Sequence, residues 1–260
     1  MSFAPKMLAL DVDGTLVDFE DQMTGRVRDT VRTARDAGLH VVISTGRSTP
    51  GVMDAAHKLG FEEGLAVASN GAVTFSYSPV ELLSTVTFDA RETVKLVLEH
   101  VPDAAVAVEE VGRGYRINKA FPAGEISGEM IVQSVEELVA EPVTRVIIRS
   151  PGQSAEEFTE LAERLGLHGI SYFVGYTAWL DLAPEGVSKA SGLESICARL
   201  GLEAGDVLAI GDGLNDLEML RWAGRGVAMG GSPPQVIEAA DDVTGSVHED
   251  GLADEIERWL

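Results

Sequence analysis

Short apolar runs that stop abruptly at aspartate, or at threonine and glycine, recur along this chain with helical patterns between them. Met7 to Leu10 runs into Asp11-Val12-Asp13-Gly14-Thr15, and His40 to Ser44 runs into Thr45-Gly46-Arg47. Gly64 to Ala68 supplies a third run, and Val207 to Ile210 ends at Gly211-Asp212-Gly213-Leu214-Asn215-Asp216. Runs this short and this apolar suit strands buried on both faces. Helical periodicity between them predicts parallel βαβ units.

The helical segments carry their own start and stop signals. Val27, Val31 and Ala34 share a face of a helix that Gly38 is placed to end. Thr49-Pro50 offers a cap followed by proline, Val52, Met53, Ala56 and Leu59 form the apolar stripe behind it, and Gly60 stops it. Late in the chain Ser188 caps a helix through Leu193, Ile196, Cys197 and Leu200, with Gly201 at its end. The two stretches read as halves of one domain, residues 1–82 and 184–260. From Leu83 to Ala183 the pattern changes to more isolated strands, Ala105 to Val108 and Arg145 to Arg149, with helices over Glu92 to His100 and Ser154 to Leu165. Ser154 and Glu157 have capping-box spacing. Residues 83–183 therefore read as an inserted α+β domain, with Pro151-Gly152 as a turn inside it.

The balance of 42 acidic to 20 basic residues, a formal charge of −22, opposes binding to nucleic acid or anionic lipid. No apolar run approaches the roughly 20 residues of a membrane span. Met1 to Asp11 lacks a signal-peptide cleavage pattern, so the expected compartment is the cytoplasm. Cys197 is the single cysteine and reads as a small core residue. A chain this acidic needs a metal ion or a placed lysine to hold a phosphate.

Asp11 and Asp13 stand where open parallel sheets present their ligand sites, at a strand's carboxyl end. Such a pair can divide labour, one carboxylate attacking phosphorus while the other moves a proton, although Asp-x-Asp-Gly also suits a solvated acidic turn. Thr45 and Gly46 offer a hydroxyl and close backbone approach to phosphate oxygens, which ordinary loop chemistry offers too. Lys189 follows the presumed cap Ser188. A cation is disfavoured at a helix N-terminus, so a bound phosphate or neighbouring carboxylates would give it a reason to be there; otherwise it is a solvated surface lysine, one of only five lysines in the chain. Asp212 and Asp216 follow another strand, and oxygen ligands from several such loops are what magnesium accepts. Asp216 also suits a helix N-terminus.

In this order the four elements resemble the haloacid dehalogenase superfamily of phosphohydrolases. Ser69-Asn70-Gly71-Ala72, Val227-Ala228-Met229-Gly230 and Glu249-Asp250-Gly251 resemble its Cof-type branch, which carries a subclass IIB cap between the second and third motifs. The resemblance implies a Rossmann-like α/β core with a central parallel sheet and an inserted α+β cap. It implies Asp11 as nucleophile, Asp13 as general acid and base, and Thr45 and Lys189 as phosphate stabilisers. Mg2+ would meet the carboxylates of Asp11 and Asp212 and the backbone carbonyl of Asp13. Gly46 and Asn215 would help bind substrate, and Asp216 would orient Lys189 or the metal's surroundings. The substrate would be a small phosphorylated metabolite, with the cap selecting it. Where many relatives have Met-Gly-Asn-Ala, this chain has Met229-Gly230-Gly231-Ser232, so an asparagine is missing near the site's edge. A sugar phosphomutase would share both aspartates. A catalytically silent phosphometabolite-binding protein would lack Asp11, Asp13 or Lys189, and all three are present. Within the insertion Glu109, Arg116, Lys119, Tyr176 and Trp179 could touch a substrate, but strand packing suits the two aromatics better and a solvated face the three charges.

Overall fold

The computed structural model describes residues 3–150, 152–165, 170–174 and 179–260. Its elements are β1 (Met7–Leu10), α1 (Gly25–Asp36), β2 (His40–Ser44), α2 (Thr49–Leu59), β3 (Gly64–Ala68), β4 (Val73–Tyr77), β5 (Glu81–Thr85), α3 (Arg91–His100), β6 (Ala105–Glu110), β7 (Gly114–Ile117), β8 (Glu129–Val132), α4 (Val135–Leu138), β9 (Val146–Arg149), α5 (Ala155–Leu165), β10 (Ile170–Val174), β11 (Trp179–Pro184), α6 (Lys189–Leu200), β12 (Val207–Gly211), α7 (Leu217–Trp222), β13 (Arg225–Ala228), α8 (Pro234–Ala239), β14 (Asp242–Val243) and α9 (Gly251–Glu257). They divide into two compact units. One holds Met1–Arg47, Gly51–Ser84 and Ser188–Leu260; the other holds Ser48–Pro50 and Thr85–Val187. No described helix is long and apolar enough to cross a membrane.

The first unit is built on an eight-stranded sheet of order β14-β13-β12-β1-β2-β3-β4-β5. The strands from β14 to β3 are all parallel, and β4 pairs antiparallel with β3. The pleat sends alternate residues to opposite faces. Met7, Ala9, Val42 and Val67 pack on one side against Leu193, Ile196 and Cys197 of α6 and Met219 and Leu220 of α7. Leu8, Leu10 and Ile43 are buried on the other, where α1 meets β2 and α9. Each fully buried side chain of this size contributes about 1.5–3 kcal/mol, so both faces together fix the register of β1, the strand that ends at Asp11.

Local signals explain the flanking helices. Thr24 caps α1 by accepting from the Val27 amide, and Gly201 closes α6 in a left-handed conformation. The α2 stripe is corrected in one place. Val52, Ala55, Ala56 and Leu59 are fully buried while Met53 is half-buried, because the face counted from Val52 runs through the third, fourth and seventh following residues.

The second unit has a six-stranded sheet of order β10-β11-β9-β6-β7-β8, antiparallel except for the β7–β8 pair. Val106, Val108, Val146, Ile148, Leu180 and Leu182 pack on one face with Val94 and Val97 of α3 and Phe158 of α5. Ser154 and Glu157 form the reciprocal cap of α5 that their spacing predicts. Trp179 meets Phe121 edge-on at 6.2 Å, which is the packing expected for it. Arg116 pairs with Glu110, and Lys119 donates to the Asp103 carbonyl. Glu109 departs from expectation: it is buried and accepts from the Thr144 hydroxyl at 3.1 Å, because β6 turns it inward. Tyr176 and Pro151 lie outside the described residues.

Candidate active site

Parallel registry brings the motifs together. Leu10 is level with Ile43 on one side and Ile210 on the other, so Asp11, the loop after Ser44 and the loop after Gly211 share one edge of the sheet. The Asp11 amide donates to the Ile210 carbonyl, which ties the first loop to β12. Gly14 takes a φ of +78°, and a Cβ there would stand 2.2 Å from Asp212 Oδ2. Glycine at this turn lets the Asp212 carboxylate approach the loop that carries Asp11 and Asp13.

Lys189 resolves the puzzle of a cation at a helix start. It is the first residue of α6, its side chain is fully buried, and its Nζ donates to Asp11 Oδ1 at 2.5 Å and to Asp216 Oδ1 at 2.6 Å. Burial alone would lower the lysine's pKa, but the charges of Asp11 and Asp216 raise it, so it stays an ammonium. The remaining oxygen of Asp216 accepts from the backbone amides of Asp212 and Gly213 at 3.0 and 2.9 Å. Both of its oxygens are therefore engaged in holding the lysine and the loop. Gly71, with φ +105°, lets the start of α6 come close: a Cβ there would lie 2.0 Å from the Ser188 carbonyl oxygen.

Around this centre Thr45 is buried and accepts from the Arg47 amide, which leaves its own O–H to donate. Asn215 donates to Asn70 Oδ1 at 3.0 Å, beside Gly46, where a Cβ would meet that same oxygen at 3.0 Å. Asp13 stands at the margin, paired with Arg47. The sheet thus brings Asp11, Asp212, Asp216 and Lys189 together at the centre, with Thr45 on the neighbouring loop. Sequence reasoning assigned no role to Arg47 or Asn70, although both stood in quoted motifs, and it passed over Asp21. A separate cavity of about 340 Å³ opens among His40, Gly64 and Tyr77, at the opposite end of β2 and β3 from Thr45.

Residues 8–256 match the family model of haloacid dehalogenase-like hydrolases. The chain belongs to that family. Among curated relatives of this hydrolase, the 5-amino-6-(5-phospho-D-ribitylamino)uracil phosphatase YcsE of Bacillus subtilis is 29% identical over 98% of this chain and 96% of its own. The phosphoglycolate phosphatase of Methanoculleus marisnigri is 28% identical over the same shares. The solved subclass IIB sugar phosphatase BT4131 superimposes with a TM-score of 0.81 at 24% identity, covering 98% of both chains, which shows a common fold.

The hydrolase's own residues suit a divalent cation. Ligand oxygens of Asp11, Asp212 and Asp216 lie within 4.8 Å of one another, all buried. Burial and the charge of Asp216 hold the Asp11 carboxyl well above the usual carboxylate range and push Asp212 up to about 7. Three carboxylates facing one ammonium leave unbalanced negative charge, and an all-oxygen donor set suits a hard cation. Because Asp216 is occupied by Lys189 and two amides, Asp11 and Asp212 are the carboxylates left to meet one.

Proposed function

We propose that this chain is a cytoplasmic, magnesium-dependent phosphatase that hydrolyses a small phosphorylated metabolite through a phosphoaspartyl intermediate on Asp11. The observation that carries the reading is the buried bridge of Lys189 between Asp11 and Asp216 at the sheet edge. It fixes the rotation of one carboxylate and holds a cation where phosphoryl oxygens would bear charge.

Asp11 attacks phosphorus in line, the bond to the leaving oxygen breaks, and Asp13 gives that oxygen its proton. Asp13, now ionised, takes a proton from water, whose oxygen bonds to phosphorus while the bond to Asp11 breaks. Inorganic phosphate leaves and both aspartates are restored. Lys189 and the Thr45 hydroxyl donate to the phosphoryl oxygens, Gly46 admits them closely, and Asn215 helps orient the substrate. Magnesium, held by the carboxylates of Asp11 and Asp212 and the backbone carbonyl of Asp13, would neutralise charge on the same oxygens.

Substrate choice is assigned to the inserted region, 83–183. The named relatives, 28% and 29% identical, carry the names of two different substrates, so overall identity does not select one. The test is phosphate release from a panel of phosphorylated metabolites with magnesium and with EDTA. Release that EDTA abolishes is expected; no release from any compound with any divalent cation would overturn the reading.

A further inference from the structure

A proton donor must meet the leaving oxygen in a fixed orientation, yet the Asp13 side chain is 53% exposed. Arg47 supplies the orientation. Its Nε donates to Asp13 Oδ2 at 3.0 Å and its Nη2 to Oδ1 at 2.6 Å, a two-pronged contact that sets the plane of the carboxyl group. Arg47 is itself held, because Nη2 also donates to Asp21 Oδ1 at 2.9 Å. Lys58 of α2 donates to the other oxygen of Asp21, and to Asp54 at 2.6 Å. Charges alternate along the whole path from Asp54 through Lys58, Asp21 and Arg47 to Asp13. The arginine's stem lies against Gly51, where a Cβ would stand 2.8 Å from Arg47 Cβ.

The loop that presents Asp21 is built for the purpose. Asp18 Oδ1 accepts from the amides of Glu20 and Gln22 at 2.9 and 2.8 Å, and the Asp21 amide donates to the Asp18 carbonyl. Asp21 takes a φ of +60°, a conformation a residue other than glycine adopts at some strain. Within this loop the left-handed residue is the one that grips Arg47, which points to a function for it.

We propose that Asp21 and Arg47 are positioning residues for proton transfer: Asp21 holds the Arg47 guanidinium, and Arg47 holds Asp13 in the orientation from which it protonates the leaving oxygen. The inference rests on the proton-carrying role given to Asp13 above.

Leaving groups that differ in basicity separate this role from a structural one. p-Nitrophenolate departs with little need of a proton, whereas phenolate needs one. In Asp21→Asn the side chain keeps its shape and asparagine tolerates the left-handed backbone, so only the charge is removed. In a single turnover, before the water step that Asp13 also serves, release of phenol from phenyl phosphate should slow about tenfold and release of p-nitrophenol from p-nitrophenyl phosphate less than about twofold. Arg47→Gln should show the same split more deeply, about a hundredfold against a few-fold, and the double variant should be no slower than Arg47→Gln alone. Arg47→Lys, which keeps the charge without the fork, should fall between. Equal slowing of the two release steps, or no slowing of either, in variants whose melting shows them folded would overturn the inference. The wild-type rates test the phosphatase reading separately: if neither compound releases phosphate, that reading falls first.

Discussion

Asp11 and Asp13 are two residues apart in one loop and live in opposite surroundings. Asp11 is 4% exposed and locked to a buried lysine that is itself locked to Asp216. Asp13 is mostly exposed and meets an arginine whose anchor Asp21, like the Lys58 that pairs with Asp21, reaches solvent. A buried ion pair holds geometry but leaves charge uncompensated when one partner is lost. Ion pairs near solvent are each worth less, and the two-pronged contact from Arg47 is what keeps the plane of Asp13. The difference matches what each carboxylate is asked to do. A nucleophile must not turn, and a proton carrier must serve a leaving oxygen and then a water molecule.

Breaking the buried half should have the largest effect. Asp11→Asn should lower kcat by at least about 10³-fold without loss of folding, measured as phosphate release against thermal melting. Wild-type-like rates would remove the nucleophile from the buried side. Asp216→Asn comes next, since it takes a charge from Lys189 and turns an amide donor toward either the ammonium or two backbone N–H groups. A loss of about 3–5 kcal/mol in denaturant stability is expected. A loss below about 1 kcal/mol would mean that the exposed and buried clusters are held alike.

The next test is pH. Asp212, pushed up to about 7 by burial and Asp216, keeps its proton in the metal-free folded protein at pH values where the unfolded chain has lost it. That contribution favours folding at low pH and fades as pH rises from the usual carboxylate range through about 7. EDTA-treated protein should therefore lose stability between about pH 4 and about pH 7, by a few kcal/mol at most. Magnesium should restore it mainly at the higher pH. A stability that rises over this interval would contradict the arrangement. Salt gives the smallest effect. At about 1 M it shortens the reach of exposed charges to about 3 Å. The wild-type rate on phenyl phosphate should then fall about twofold toward that of Asp21→Asn, with melting of the buried cluster little changed.

Sequence made the strand ends legible because parallel strands must carry their chemistry at one edge, and apolar runs ending in Asp, Thr-Gly or Asp-Gly mark that edge. Lys189 was readable as a misfit, a cation where the helix dipole opposes one, and the pairing with Asp11 and Asp216 is its reason. Arg47, Asn70 and Asp21 were not readable as partners. Their contacts run to Asp13, Asn215 and Arg47, distant in sequence, and an exposed Asp or Arg carries no periodic signal. The same limit applies to Glu109, whose burial depends on its pairing across strands to the level of Arg145 and on the Thr144 hydroxyl.

Trapping the intermediate tests the division between the two aspartates most directly. Asp13→Asn enzyme mixed with p-nitrophenyl phosphate, quenched in acid and reduced with borohydride, converts an aspartyl phosphate to homoserine that peptide mass spectrometry can locate. Homoserine at position 11, accumulating in this variant because water no longer has its base, is the expected result. Phosphate release without any modification of Asp11, or modification at another carboxylate, would contradict it.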